Sequence, residues 1–169
     1  KTHGGAILKE NVFSRPKQVA TGIRAGHISA VEVLEAHLAQ MDAYKPALNA
    51  IVTMDAERAY ERAREADKAL ARGQVWGPLH GVPFTLKDAH ATAGMRTTTG
   101  FPALDHIPQE DSTVAARLKA AGGILIGKTN VATMLADYQT MNPIFCRSNH
   151  PWNMERTPGC PSGAPGARR

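Results

Sequence analysis

The chain has 169 residues, 43% of them hydrophobic, and a formal net charge of +5. With that composition disorder is not the default reading, and no run approaches the roughly 18 consecutive apolar residues of a membrane span. The 20 basic residues are interleaved with 15 acidic ones, so no basic patch marks a nucleic-acid face, and 2 cysteines are too few for a disulfide framework; a reducing, cytoplasmic compartment is expected.

Ser29-Ala30-Val31-Glu32 reads as a capping box that starts a helix. Val31, Leu34, Leu38 and Met41 then recur at spacings of three and four, an apolar stripe that must face a core, and Pro46 is expected to end it. Leu48 to Met54 is short, apolar and rich in β-branched residues, the texture of a buried strand or extended connector. Asp55 caps a second helix with Ala56, Ala59, Tyr60, Ala63, Ala66 and Leu70 along one side and a stop at Gly73.

From Trp76 onward glycines, prolines and threonines surround one strand-like run, Val82 to Leu86, which Lys87 closes. Ser112 begins another helix, stopped by Gly122-Gly123 and followed at once by the apolar run Ile124 to Ile126. Helix, glycine, buried strand is the texture of an α/β protein. Gly127 to Asn130 is expected to leave that strand and cap a short helix over 131–135. Beyond Asp137 few apolar residues recur with any period, and a loop that long within a compact domain suggests that something is missing.

Several constellations compete for a chemical role. Cys146 and His150 have the spacing of half a zinc site, but no second pair completes four ligands, so no metal is expected. His80 and His90 flank the Val82 strand too far apart for a helical pair and read as surface or hydrogen-bonded residues. Gly122, four residues, then Gly127-Lys128-Thr129 matches the spacing of a phosphate-binding loop. That loop needs its amides free, whereas residues 124–126 read as a strand whose amides belong to a ladder, so no nucleotide cofactor follows. Lys87 is more informative: a lysine on a rigid strand end beside a glycine-containing loop becomes a base near neutral pH if it is desolvated. From spacing alone, a solvated or salt-bridged lysine is the commoner outcome.

The blocks "GPLHGVPFTLKDAHATAGMRTTTG", "DSTVAARLKAAGGILIGKTN" and "NHPWNMERTPG" resemble, in order and separation, the first part of the amidase signature enzymes. The resemblance implies an α/β fold, a mixed sheet covered by helices, of which this chain is an incomplete N-terminal part. It implies one truncated domain over 1–169, mainly helical over 1–75, with the α/β core starting over 76–169. It also implies hydrolysis of amide bonds without histidine or cofactor, by a lysine, a bridging serine and a nucleophilic serine. Lys87 falls on the family's lysine, and its burial would keep it neutral. The bridging-serine position falls on Pro161, which has no hydroxyl, while Ser162 matches the second serine of the pair; Cys160 also replaces a small family residue. The nucleophile belongs to a later glycine-rich segment past Arg169, so the chain alone is expected to be catalytically incomplete.

Two further readings follow from the same residues. One is a non-catalytic remnant or binding module; the other is the glutamine-hydrolysing subunit of a transfer-RNA-dependent amidotransferase, which "ADYQTMNPIFCRSNHPWN" resembles less than it does the free-standing amidases. The expected partners are a small-molecule amide and, through core surfaces left exposed, other copies of the chain, with neither nucleic acid nor membrane.

Overall fold

The computed structural model describes residues 15–156 and 158–159. In chain order its elements are α1 (Pro16–Arg24), α2 (Ala30–Leu48), β1 (Ile51–Met54), α3 (Ala56–Ala71), β2 (Pro83–Lys87), α4 (Thr113–Ala120), β3 (Ile124–Thr129), β4 (Met141–Asn142) and β5 (Cys146–Arg147). Short 3-10 turns add Pro102–Leu104 and Thr133–Leu135. The fold is α/β: β1, β3 and β2 lie in that order in one sheet, with β1 antiparallel to β3. The bonds Ile124 N to Val82 O and Asp88 N to Thr129 O, at opposite ends, make β2 and β3 run the same way, so the sheet is mixed.

Two compact units divide the described chain. The first draws on residues up to 41, 55–84 and 117–126, and the second on 42–54, 85–116 and from 127 onward. In the first, Val33 and Leu34 of α2 are buried with Ile23 of α1, and α3 buries only alanines: Ala59, Ala63, Ala66 and Ala69. The expected small-residue face of α3 is therefore present, with Ala69 rather than Leu70 as its last buried member. Gly122, at φ +93°, stops α4 and also lets backbone pass: a Cβ there would come within 2.8 Å of His80 Cα.

Local end signals act where expected at three helix ends. Asp55 accepts the Arg58 amide at 3.2 Å, the Gly73 and Gln74 amides close the end of α3 on Leu70 O and Ala69 O, and the Ser29–Glu32 capping box is formed. Two expectations fail. Pro46 lies inside α2, which runs on to Leu48; a proline one turn from a helix end forfeits one amide bond without breaking the element, and Asn49, at φ +48°, makes the actual stop. Gly127 to Thr129 do not leave the strand, because β3 runs through Thr129, and the expected helix over 131–135 is a single 3-10 turn with Met134 at φ +52°. Their amides thus belong to a strand, which disposes of the phosphate-loop match.

The segment after Asp137 is organised by side-chain amides rather than by periodic apolar residues. Asn130 Nδ2 donates to Cys146 O and Ser148 Oγ, and Asn130 Oδ1 accepts from Asn142 Nδ2 at 2.7 Å. Asn142 Oδ1 takes the Ile144 and Phe145 amides, shaping the turn between β4 and β5. Asn49 Nδ2 donates to Phe145 O and Arg147 O, and Ser148 Oγ donates to Asn49 O. Buried amides that satisfy one another in this way fix a loop that has few apolar contacts of its own.

Candidate active site

Lys87 is the last residue of β2, half-buried, and its carbonyl accepts the His90 amide at 3.0 Å in a tight turn. The strand thus delivers the lysine to the start of the loop 88–99, as its sequence position predicts. The described residues leave it only half-buried, so the burial expected to keep it neutral is not supplied by them. Ser162, Pro161 and Cys160 lie outside the described residues.

Immediately after Lys87 stands Asp88, 0% exposed. Its backbone is held on both sides, the amide by Thr129 O at 3.0 Å and the carbonyl by the Thr99 amide at 2.8 Å. Its Oδ2 accepts from both the amide and the hydroxyl of Thr98, while Oδ1 is buried with no hydrogen-bond donor among the described residues. Burial pushes the Asp88 carboxyl above its ordinary value, against the opposing pull of the Thr98 hydroxyl, Lys128, the Thr98 amide and Arg96.

On the neighbouring strand Lys128 is also 0% exposed. Its Nζ donates to His90 O at 2.6 Å and to Thr97 Oγ1 at 2.9 Å. Burial lowers the His90 pKa, and the positive charges of Lys128 and then Lys87 push it the same way. Arg96 is committed to Asp105 through Nε at 2.9 Å and Nη2 at 2.5 Å. The turn after β2 therefore gathers Lys87, Asp88, His90 and Lys128 within electrostatic reach of one another.

Sequence reasoning found Lys87 but missed Asp88 and Lys128 as parts of the same site. Lys128 was missed because the strand expected from the sequence ends at Ile126, whereas β3 runs on through Thr129 and buries the lysine, whose charge then demands a partner. Among the described residues no group of three or more His, Cys, Asp and Glu side chains could hold a metal ion, and no helix is long and apolar enough to cross a membrane.

Comparison with known proteins gives consistent matches. The model of the family described as Amidase matches residues 32–168. A glutamyl-tRNA(Gln) amidotransferase subunit from Carboxydothermus hydrogenoformans is 41% identical over 159 residues, which cover 94% of this chain and 33% of that protein. A solved 6-aminohexanoate cyclic dimer hydrolase is 30% identical with a TM-score of 0.81, covering 92% of this chain and 32% of its own. Fatty acid amide hydrolase has the same fold, with a TM-score of 0.90 at 23% identity over 95% of this chain and 28% of its own. The chain thus spans about a third of the length of the curated relatives it matches.

Proposed function

Because the chain belongs to the amidase family, we propose that it supplies the lysine-bearing part of an enzyme that hydrolyses carbon–nitrogen bonds of amides. The observation that carries this reading is Lys87 at the end of β2, within the 32–168 span of the family match. In the proposed chemistry the Lys87 amine acts as the base, accepting a proton passed through a bridging hydroxyl from the nucleophilic serine. The serine oxygen adds to the amide carbonyl, the carbon–nitrogen bond breaks as the proton passes to the leaving amine, and water then releases the acid from the acyl-enzyme. The nucleophile belongs to a segment outside this chain, and Ser162 is the candidate bridging hydroxyl, Pro161 having none.

The reading is tested on a polypeptide of the relatives' length that carries these 169 residues, with ammonia release from benzamide and from L-glutamine as the readout. Lys87→Ala should lower kcat by about a hundred- to ten-thousandfold, the contribution of a positioned base, with the melting temperature unchanged. Undiminished turnover would exclude Lys87 as the base. Ser162→Ala should also impair turnover, and full activity would move the relay elsewhere.

A second reading is favoured by the curated relatives, which are described as subunits of glutamyl-tRNA(Gln) amidotransferases. There the substrate would be glutamine, and further subunits would receive the ammonia. Turnover of L-glutamine far above that of benzamide supports this version; the reverse supports a free-standing amidase. The 169 residues alone should hydrolyse neither compound.

A further inference from the structure

Three buried side chains outside the proposed proton relay converge on the backbone that carries Lys87. Lys128 reaches from β3 to the carbonyl of His90, the residue whose amide closes the turn on Lys87 O, and also to Thr97 Oγ1. Asp88 reaches from the turn to the amide and hydroxyl of Thr98. The Thr98 hydroxyl in turn accepts the Gly100 amide at 2.9 Å. The near and far ends of the loop 88–99 are thereby fastened to each other and to the sheet.

Stability alone is a poor reason for this arrangement. A fully buried ammonium and a fully buried carboxylate each cost several kcal/mol to desolvate, and an apolar replacement of similar volume is often as stable or more so. What such a pair supplies is a fixed geometry, here one residue from the lysine proposed to move the proton. Catalysis through a relay depends on that geometry, since misplacement by about 1 Å can cost about a hundredfold in rate.

We infer that Asp88, Thr98 and Lys128 are positioning residues, a clamp that fixes the direction in which Lys87 leaves β2. This rests on the amidase reading and adds to it. The charged and titratable groups around the clamp are Lys87, His90 and Arg96, the last held by Asp105.

The test uses Thr98, ten residues from the clamp's carboxylate in sequence and exchangeable without loss of volume. In the relatives-length polypeptide, Thr98→Val should lower kcat on benzamide or L-glutamine at least about tenfold with KM within about twofold, and Thr98→Ser, which restores the hydroxyl, should recover it. In the 169-residue chain, reductive methylation with 13C-formaldehyde gives a Lys87 methyl signal identified by its loss in Lys87→Arg. That signal should shift in Thr98→Val and in Lys128→Met and return in Thr98→Ser. An unmoved Lys87 signal, or unchanged kcat accompanied by a lowered melting temperature, would reduce the clamp to a structural role and overturn the inference. Should Lys128→Met fail to fold, the Thr98 pair decides alone. Undiminished turnover in Lys87→Ala would instead sink the amidase assignment of Lys87, while the methyl signal still reports on the clamp.

Discussion

His80 shows how much one buried ring can decide. It is 0% exposed, its Nδ1 accepts the Trp76 amide at 3.1 Å, and its Nε2 lies 3.2 Å from Ala66 O. An acceptor at one nitrogen and a donor at the other describe a single neutral tautomer. Burial holds the pKa below its ordinary value, and the repulsion of Arg24 and Arg62 outside it works in the same direction, against the pull of Ala66 O and Asp67. A depressed histidine pKa means that the unfolded chain takes the proton first, so stability is full above about 6.5 and falls as pH drops from there through the folded value. His90, lowered for the same first reason, adds to that fall. Chemical denaturation between pH 7.5 and 5 should show stability declining with acid, and His80→Gln should flatten the decline while lowering stability at pH 7.5. A pH slope untouched by the substitution would mean that His80 takes up its proton equally in the folded and unfolded states. Nothing in the sequence marked this ring as buried, because its partners are backbone atoms brought close by α3 and by the passage at Gly122.

At the scale of elements, the start of α2 gives a complete account of its four orphan amides. Ser29 N donates to Glu32 Oε2 at 2.8 Å, Ala30 N and Val31 N donate to Asp67 Oδ1 and Oδ2 at 2.7 and 3.2 Å, and Glu32 N donates to Ser29 Oγ at 3.1 Å. The Ser29 amide and hydroxyl, by donating to Glu32, hold that carboxyl below its ordinary value. The Ser29 half of this cap was legible because both partners sit within four residues. The Asp67 half was not, since 37 residues separate it from Ala30 and only the packing of α3 brings it there. Ser29→Ala should cost about 1 kcal/mol, and Asp67→Ala, which strips two amides and a favourable charge at a helix N-terminus, about 2 kcal/mol. Urea denaturation measures both; an Asp67→Ala loss smaller than that of Ser29→Ala would show that water replaces the carboxylate without penalty. The failed expectation at Pro46 has a related cause: the rule that proline breaks helices concerns interiors, and Asn49, which closes α2, is itself held by Phe145 O and Arg147 O from far along the chain.

For the whole molecule, local signals located most elements and the strand end that carries Lys87, whereas the Asp88–Thr98–Lys128 clamp and the Asn130–Asn142 knot depend on contacts that no spacing announces. The same division applies to what the surface leaves open. Large apolar side chains stay exposed along one stretch of chain: Met134 at 56%, Tyr138 at 83%, Met141 at 54% and Trp152 at 64%. The segment is held by polar amides rather than by burying its own apolar groups, so these side chains are not needed to fold it. Apolar surface of this kind favours association at about 25 cal/mol for each Å² covered. The 169-residue chain should therefore self-associate in sedimentation velocity as its concentration rises, and Tyr138→Ser combined with Trp152→Ser should return it toward monomer without lowering its melting temperature. A wild-type chain that stays monomeric at every concentration would refute the expectation. A polypeptide of the relatives' length that sheds the self-association would place this stretch under the remainder of an amidase domain.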